Sequence, residues 1–592
     1  MTLAIAMAAA LVSVVHTDTH EVRVCAPLGD GALVGTAGGL VRVDGRGAER
    51  AVWTAHDGLP GTRIESIVRD GDGYWIGTDA GGARVHLAGD ALVIDRSVAG
   101  AAMRDVVRHG GVLYAATARG VLKLGASGNG TVMPWKGRGP AGRERVAALA
   151  SSDGSLWAGT AAGLFVLRGG RLERVALEGA HASAAITSLH AEPASGSGAT
   201  ATAARLWIAT SDGLFVRDAA GTRRIGGSEL VRVTAVDGAI VVSGLGDGLL
   251  RVDRGRLVAL AGAPRALTLA QAVAEHAGAA CAGGHDGLWL RAKTGAAWTA
   301  AAARPVGLPS NDVSALAVDG DRLWVGTFDQ GLVVRERGAW DVVAHPDLDG
   351  RINALLVEPR TGASARIWVA TAAGLMTIER TGRTTSVARL TRRDGLPGRG
   401  VLSLARLRDG RIVAGTSTGA VIVRDGRPVP VGPPGTEIGN VWSVAEDADG
   451  MLWLGTTTGV WRGPSTIEDK VDRGGAWKRF SVATGELVDD WVMAIAPRGR
   501  AVWVGGYKGG VVRFELDGMK ATAIGGGWVN PGGLTWDGDV LVASTQEGLK
   551  TGDGANAVWT DVTGLPGKDV TAVVRVAGKR WIATRRGVVE KK

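Results

Sequence analysis

The stretch from Leu323 to Arg335 reads LWVGTFDQGLVVR and decides the fold. It holds two short apolar runs, joined by a Gly-Thr step and a turn that ends at Gly331. Such a pattern predicts a tight β-hairpin with glycine at a position of positive φ. Alternating apolar residues in VSALAV (Val313–Val318) and AWDVVA (Ala339–Ala344) predict one further strand on each side. The unit is therefore a four-stranded sheet.

The same unit recurs along the whole chain. Fourteen copies align on the position of Trp324, and the intervals of 34 to 50 residues are typical of propeller blades. The aligned residues are Leu33, Trp75, Tyr114, Trp157, Trp207, Val241, Cys281, Trp324, Trp368, Val413, Trp453, Trp503, Leu541 and Trp581. One ring holds about eight blades at most, so the sequence predicts an all-β fold of two tandem seven-bladed β-propellers.

The spacing predicts three regions: residues 1–20, a first propeller over 21–295 and a second over 296–592. Residues 1–20 have two interpretations, which both stay open. The run LAIAMAAALVSVV (Leu3–Val15) resembles the apolar part of a signal peptide, and it is too short to span a membrane. Alternatively, residues around Val12–Thr17 form an outer strand that closes the first propeller, while Ala296–Ala300 closes the second.

Composition excludes some classes of function. The 67 basic and 58 acidic residues give a net charge of +9, which is spread over 592 residues. No basic run with interleaved aromatic residues occurs, so we do not expect a nucleic-acid partner. The two cysteines, Cys25 and Cys281, fall on blades that a seven-bladed ring would make neighbours. A disulfide is therefore conceivable, but we favour the simpler interpretation of two small buried apolar residues.

The hairpin signature, together with DGLP-type linkers before inner strands, resembles the two-component regulator propeller repeat. The linkers lie at His56–Ser66, Pro305–Ser314, Arg393–Ser403 and Thr563–Thr571, and the resemblance covers nearly the whole chain. It implies two seven-bladed propellers like those of the periplasmic, glycan-detecting part of hybrid histidine kinases. Because no membrane span, β-sandwich module, kinase or receiver domain is recognised after the propellers, the resemblance implies a binding role rather than a phosphorelay.

No motif in the sequence carries a reaction. A nucleophile elbow, a phosphate-binding loop and a dinucleotide fingerprint do not occur. The spacings that could fit a metal ion are His16 with His20, Asp70 with Asp72, and Asp447 with Asp449. Chance explains the histidine pair, and turn formation explains the aspartates, since Asp side chains bond their own backbone in β-turns. We therefore predict no catalytic residue, metal or cofactor.

Polar residues gather where the inner strands begin, which is the mouth of a propeller channel. The predicted binding residues are Asn311, Asp312, Arg351, Asn353, Asn440, Trp442, Asp489, Asp490, Trp491 and Asp569. Their counterparts in the first propeller are Arg63, Glu65, Arg104, Asp105, Arg143 and Glu144. Acids, amides and arginine suit hydrogen bonding to a glycan, and the two tryptophans could stack on a sugar. The alternative is that these residues are only solvated loop ends.

The predicted function is a sensor-like, non-catalytic protein that binds a glycan or a protein partner at a channel mouth. We expect a monomer or weak oligomer that is periplasmic or secreted, or cytoplasmic if the N-terminal apolar stretch is a closing strand. One alternative is a protein–protein interaction scaffold. Another is a polysaccharide lyase or hydrolase of the propeller type, which would need converging carboxylates from Asp489, Asp490 and Asp569.

Overall fold

The protein is described from a computed structural model. The described residues are 13–125, 130–136, 145–177, 184–194, 203–264, 267–268, 270–284, 287–301, 307–359, 365–381, 384–465 and 477–591. The chain forms two compact units: ring one is Asp18–Pro305, and ring two is Val306–Lys592 together with Met1–Thr17. The first strand, β1 (Ser13–His16), thus belongs to ring two. No helix among the described residues is long and apolar enough to cross a membrane.

Ring one contains seven four-stranded antiparallel sheets, each built from four consecutive strands. The strands are β2 (Val24–Leu28), β3 (Gly31–Thr36), β4 (Gly39–Val43), β5 (Glu49–Trp53); β6 (Ile64–Asp70), β7 (Gly73–Thr78), β8 (Gly81–Ala88), β9 (Ala91–Ala99); β10 (Met103–His109), β11 (Val112–Thr117), β12 (Gly120–Leu124), β13 (Gly130–Val132); β14 (Val146–Ser152), β15 (Ser155–Thr160), β16 (Gly163–Arg168), β17 (Arg171–Val175); β18 (Ile186–Glu192), β19 (Arg205–Thr210), β20 (Gly213–Asp218), β21 (Gly221–Gly226); β22 (Leu230–Val236), β23 (Ala239–Gly244), β24 (Gly248–Asp253), β25 (Arg256–Ala259); β26 (Ala270–His276), β27 (Ala279–Gly284), β28 (Gly287–Arg291) and β29 (Thr299–Ala300).

Ring two also contains seven four-stranded sheets, and its seventh sheet takes its outer strand from β1. The other strands are β30 (Val313–Asp319), β31 (Arg322–Thr327), β32 (Leu332–Glu336), β33 (Ala339–Val342); β34 (Ile352–Glu358), β35 (Arg366–Thr371), β36 (Gly374–Thr381), β37 (Thr384–Leu390); β38 (Val401–Arg406), β39 (Ile412–Thr416), β40 (Gly419–Arg424), β41 (Arg427–Val431); β42 (Val441–Glu446), β43 (Met451–Thr456), β44 (Gly459–Pro464), β45 (Lys478–Phe480); β46 (Val492–Arg498), β47 (Ala501–Gly506), β48 (Gly510–Glu515), β49 (Lys520–Gly525); β50 (Val529–Asp537), β51 (Val540–Thr545), β52 (Gly548–Gly552), β53 (Thr560–Val562); β54 (Val570–Val576), β55 (Lys579–Thr584) and β56 (Gly587–Lys591). The predicted fold of two tandem seven-bladed propellers is confirmed.

The hairpin that opened the sequence analysis forms as predicted. Gly331 has a φ of +85°. The hydroxyl of Thr327 donates to the Gly331 carbonyl at 2.9 Å and accepts from the Gln330 amide at 3.0 Å. The same threonine-to-glycine bond closes the corresponding turn in ten other blades, at Thr36, Thr78, Thr117, Thr160, Thr210, Thr371, Thr416, Thr456, Thr545 and Thr584. The Gly-Thr step of the repeat is therefore a turn-closing device.

The repeated tryptophan packs between blades. Trp324 is 2% exposed and contacts the cluster that contains Ile352, the first inner-strand residue of the next blade. Gly326, two residues after it, leaves room for that blade: a Cβ there would lie 2.6 Å from the Ile352 side chain. Burial of such large apolar side chains contributes roughly 1.5–3 kcal/mol each to stability. The core of each ring is thus a circle of inter-blade clusters.

Two DGLP-type linkers form a single capped 3-10 turn each, at Ala55–Asp57 and Arg392–Asp394. In the first, the Thr54 side chain accepts from the amide of His56, while Asp57 accepts from the Thr54 amide. Gly58 then leaves the turn with a φ of +95°. These linkers set the direction in which the chain enters the next inner strand, and hence shape the channel mouth.

A disulfide closes ring one. Cys25 on β2 and Cys281 on β27 are bonded, with a Cα–Cα distance of 6.2 Å. The preferred interpretation of two unpaired apolar residues is therefore wrong. The cause is the ring geometry: β2 of the first blade packs beside β26 and β27 of the seventh, which brings residues 256 positions apart into bonding range. The Val22 amide adds a hydrogen bond to the Gly284 carbonyl at 3.1 Å.

Removing this disulfide should weaken ring one. We expect the Cys25→Ala, Cys281→Ala variant to lose about 2–5 kcal/mol of unfolding free energy, because the bridge restricts a very long loop of the unfolded chain. Denaturant titration with and without a reducing agent measures this loss. The reducing agent should shift the wild-type midpoint and leave the double variant unchanged. An unchanged wild-type midpoint would contradict a stabilising role for the bridge.

Ring two is closed by β1, which pairs antiparallel with β56 from Ser13 opposite Lys591 to His16 opposite Val588. The expected closure pattern is therefore reversed. The segment around Val12–Thr17 does not close the first propeller, and Ala296–Ala300 does not close the second, because β29 pairs with β28 of ring one. Ring one already has its own outer strand, whereas the last repeat supplies only three. The unit boundary also lies ten residues later than residue 295.

His16 anchors the closing strand. Its ring stacks on Trp581 with a centroid distance of 5.3 Å and meets Trp340 edge-on at 5.3 Å. Nε2 lies 3.5 Å from the Glu590 carboxylate. Burial, followed by the charge of Arg335, lowers the pKa of His16 below its usual 6.5. The signal-peptide interpretation concerned Leu3–Val15, and of this run residues 3–12 lie outside the described residues.

Candidate functional site

The start of each inner strand and the following turn meet at one face of the ring. We call the residue directly before an inner strand the rim residue, and the first residue after the second strand the turn residue. The turn amide donates to the rim carbonyl. Four pairs in ring two are Phe328 to Asp312 (2.8 Å), Tyr507 to Trp491 (2.8 Å), Gln546 to Trp528 (3.1 Å) and Arg585 to Asp569 (3.0 Å). The same bond joins Ala372 to Arg351 and Ser417 to Gly400, so it brings the rim and turn residues of six blades to one mouth.

An aromatic ledge lies on the fifth and sixth blades of ring two. It consists of the rim residues Trp491 and Trp528 and of the turn residue Tyr507 between them. The Tyr507 ring lies 5.6 Å from Trp491 and 6.0 Å from Trp528, centroid to centroid. The Lys508 ammonium lies 5.5 Å from the Trp528 ring. Trp491 is 50% exposed and Trp528 38%, so the ledge presents flat apolar surface to solvent.

A polar network continues the mouth onto the seventh and first blades. The Arg585 guanidinium donates to the Asp312 carboxylate at 2.6 Å and lies 4.0 Å from that of Asp569. It also covers the Phe328 ring, 4.8 Å from the centroid. The Asn530 amide donates to Asp569 at 2.7 Å. Aromatic ledge and polar network together span four consecutive blades, and this arc is the candidate site.

The remaining predicted residues divide by role. Asn353 donates to the Val401 carbonyl of the next blade at 2.7 Å, so it links blades. Asn311 is 8% exposed, and its carbonyl accepts from the Gly587 amide at 2.8 Å across the ring closure. Arg351 is 58% exposed at its own rim position, 3.7 Å from Asp349. Asn440 is a half-buried rim residue of the fourth blade. None of these four completes the arc.

Asp489 and Asp490 shape their own loop. The Asp489 carboxylate accepts from the backbone amides of Trp491 at 3.1 Å and Lys508 at 2.7 Å. Asp490 accepts from the Val482 amide at 2.8 Å. These bonds hold the loop in the conformation that exposes Trp491. Because both carboxylates accept hydrogen bonds from backbone amides, their role is to position the aromatic ledge, which is structural rather than catalytic.

Trp442 differs from Trp491, although the sequence placed both beside polar residues. It occupies a bulge near the start of β42, between the paired residues Val441 and Ser443. Its side chain is half-buried, and its indole Nε1 is buried without a hydrogen-bond partner among the described residues. It therefore adds an indole N–H to the channel lining and no flat exposed face.

Sequence reasoning missed five members of the arc: Tyr507, Trp528, Asn530, Phe328 and Arg585. A signal was present, because Trp491 and Trp528 both directly precede the valine that begins an inner strand. In the blade of Trp528 that signal was hidden. Its inner strand, β50, has a wide irregularity between Val529 and Leu534, and its aligned core position is a leucine.

The aspartates considered as metal ligands have other partners. Asp70 ends β6 and is ion-paired with Arg84 and Arg108, whereas Asp447 bonds its own turn. Asp447 is fully buried, and its carboxylate accepts from four donors: the amides of Asp449 and Met451, the Trp453 indole and the Arg462 guanidinium. No three His, Cys, Asp or Glu side chains converge as metal ligands in the part of the chain that the structure describes.

The mouth of ring one is charged, and its described residues form no aromatic ledge. Arg63, Glu65 and Arg104 lie at or beside the starts of β6 and β10. Asp105 accepts from the Leu149 amide of the next blade at 2.9 Å, and burial raises its pKa to about 6. Arg143 and Glu144 lie outside the described residues.

Comparisons with known proteins agree with the repeat and the fold. The sequence profile of the family described as two component regulator propeller matches residues 307–329 and 437–458, so the resemblance is confirmed on these segments. No curated protein matches the sequence.

Two solved structures share the fold across the chain. PorZ, a surface component of the type-IX secretion system of Porphyromonas gingivalis, aligns with a TM-score of 0.68 at 14% identity, over 98% of this chain and 86% of PorZ. An ancestral GH74 enzyme aligns with a TM-score of 0.67 at 12% identity, over 98% of both chains. At this identity the likeness extends to the fold alone. The extracellular domain of a putative hybrid two-component system of B. thetaiotaomicron aligns at a TM-score of only 0.40, with 16% identity over 97% of this chain and 81% of that one.

Proposed function

We propose that the protein is a non-catalytic, sensor-like binding protein that recognises a glycan at the mouth of ring two. One observation carries the proposal. Three aromatic side chains are exposed among the described residues, Phe328, Trp491 and Trp528, and all three lie on the arc of ring two. Exposed apolar side chains that are grouped in one patch mark an interaction site, whereas single scattered ones do not. Flat rings beside carboxylates, an amide and a guanidinium match the alternating apolar and hydroxyl surfaces of a sugar.

The disulfide supports a location outside the cytoplasm. Structural disulfides form and persist in oxidising compartments and are rare in the reducing cytosol of mesophiles. The Cys25–Cys281 bridge closes a ring and is therefore structural. We accordingly infer a periplasmic or secreted protein, where extracellular glycans are available as ligands.

The alternative of a polysaccharide hydrolase loses its nominated carboxylates. Asp489 and Asp490 are bonded to backbone amides of their loop, and Asp569 is bonded to Asn530. Asp312 is ion-paired with Arg585. A general acid and a nucleophile would need carboxyl groups aimed at a shared space, so these contacts favour binding over hydrolysis.

The test is calorimetric titration of the whole chain with neutral oligosaccharides of different backbone linkage. A glycan that binds the wild type should bind the Trp491→Ala, Trp528→Ala variant at least tenfold more weakly, about 1.4 kcal/mol, because hot spots concentrate in aromatic anchors. Trp298→Ala serves as the control, since Trp298 lies in ring one. The same ligands incubated with the protein should remain uncleaved.

The outcomes separate the candidate functions. Loss of binding in the ledge variant alone supports the glycan site. Equal binding by both variants would place the site elsewhere and contradict the proposal. Release of shortened oligosaccharides would replace it with the enzyme alternative, and no binding across the set would leave the scaffold alternative ahead.

A further inference from the structure

Ring one holds a cluster of arginines at its channel mouth. Arg23 directly precedes β2, Arg63 precedes β6, Arg104 is the second residue of β10, and Arg145 precedes β14. These positions belong to four consecutive blades, so the four guanidinium groups share one side of the mouth. Nε of Arg23 and Nε of Arg104 are buried with no hydrogen-bond partner among the described residues.

Two carboxylates face this cluster. Glu65 is 8% exposed, with 3.1 Å to Nε of Arg63 and 3.8 Å to Arg23. Glu21 lies 3.8 Å from Arg23 and accepts from the Gln271 amide at 2.8 Å. Glu65 is therefore paired with Arg63 and Arg23, and Glu21 with Arg23 and the Gln271 amide.

Arg104 is an arginine of this cluster whose guanidinium has no ion-pair partner among the described residues. It forms no ion pair or hydrogen bond with any described residue, although it is half-buried. Burial lowers its pKa, and the charges of Arg145, Arg63 and Arg23 act in the same direction, against Glu65. Partial burial of an unpaired charge has a cost, and neighbouring like charges add to that cost. Arg104 lies at a mouth that faces solvent, where an anionic ligand could pair with its charge.

The charge balance indicates the kind of ligand. Around the cluster, the four arginines stand against three carboxylates, those of Glu21, Glu65 and Asp79, which leaves one positive charge in excess. Asp79 is the turn residue whose amide donates to the Arg63 carbonyl at 3.0 Å. Arg143 and Glu144, outside the described residues, carry opposite charges. Guanidinium groups bind carboxylates through two parallel hydrogen bonds. One excess positive charge therefore matches a ligand that carries one carboxylate group.

We propose that the mouth of ring one is a second binding site, which takes the carboxylate group of an acidic ligand between Arg104 and its neighbouring arginines. The site is independent of the aromatic ledge, because it lies in the other ring and uses charge instead of stacking. Arg104 supplies the unpaired guanidinium, and Glu65 holds Arg63 and Arg23 in place beside it. A sugar acid and a simple carboxylate share the chemistry that this site recognises.

The experiment titrates the whole chain with acetate, glucuronate and glucose at constant ionic strength, and follows thermal unfolding and binding heat. A ligand that binds only the folded state must raise the midpoint. We expect saturable stabilisation by glucuronate and none by glucose. A response to acetate of equal strength identifies a site for the carboxylate alone, and a stronger response to glucuronate identifies a sugar-acid site.

Arg104→Gln tests the assignment. It should weaken carboxylate binding at least tenfold and, without ligand, leave the midpoint unchanged or raise it, because like-charge repulsion is relieved. Arg108→Gln, on the same strand but paired with Asp70 at 2.9 Å, is the matched control and should keep the response. The response should also persist in the Trp491→Ala, Trp528→Ala variant. A lower midpoint of Arg104→Gln, unaltered binding by it, or no response to either carboxylate would overturn the proposal.

Discussion

A chain that begins at Asp18 should lose the stability of ring two while ring one stays folded. The deletion removes β1, which supplies the outer strand of the seventh blade. It uncovers the edge of β56 and removes His16 from between Trp340 and Trp581. With two or three side chains losing burial at roughly 1.5–3 kcal/mol each, we expect a loss of about 3–9 kcal/mol. That is a large share of the stability of an ordinary domain.

Hydrogen exchange followed by mass spectrometry locates this effect. Peptides that cover β54 to β56 should lose protection, whereas peptides from β2 to β29 should keep it. The matched control is a chain that begins at Ser13, which retains β1 and should behave like the full chain. A synthetic peptide spanning Ser13–Asp18 should restore protection when added to the shorter chain. Unchanged protection in β54 to β56 would show that β1 contributes little to closure.

The second large effect is expected at Asp447. Asp447→Ala removes the acceptor of the Arg462 Nε–H and of the Trp453 indole, and it releases the turn amides of Asp449 and Met451. Breaking a buried ion pair by removing one partner costs about 3–5 kcal/mol. The damage should spread locally, because Trp453 stacks on Phe480 at 5.8 Å.

Denaturant titration measures the cost, with Asp449→Ala as the control. Asp449 also contacts Arg462, at 2.9 Å, but it is 38% exposed, and exposed ion pairs contribute roughly 0–1 kcal/mol. A difference of several kcal/mol between the two variants is the expected result. Equal midpoints would mean that solvent or neighbouring groups replace the Asp447 carboxylate, and that its four contacts do not stabilise the blade.

Local patterns made the blades predictable, whereas ring closure depends on contacts between distant parts of the chain. The hairpin predicted at Leu323–Arg335 forms from β31 and β32, because alternation and turn residues are local signals. The partner of β1 could not be found in this way, since VVHTD (Val14–Asp18) has the same outer-strand pattern as AVWTA (Ala51–Ala55) in ring one and AVWTD (Ala557–Asp561) in ring two. What distinguishes it is the contact of His16 with Trp581, which a repeat alignment does not reveal.

The candidate site was partly predictable for the same reason. Polar rim residues such as Asp312 and Asp569 follow from the repeat register. Whether a carboxylate faces the mouth or bonds its own backbone depends on loop conformation, as Asp489 illustrates. Trp528 and Arg585 reach the arc only because their blades lie beside those of Trp491 and Asp312 around the ring. Adjacency around a ring is visible in the sequence only after the closure is known.

Because β1 pairs with β56, the seventh blade of ring two cannot be completed until β56 has been synthesised. His16 leaves the ribosome some 570 residues before Val588, its partner across the sheet. At 5–20 residues per second, the strand waits for roughly half a minute to two minutes. During that interval its backbone groups have no native partner, and every other blade of both rings can form first. The last step of assembly is therefore the meeting of the earliest and the latest segments, and a chain stalled before β56 cannot complete ring two.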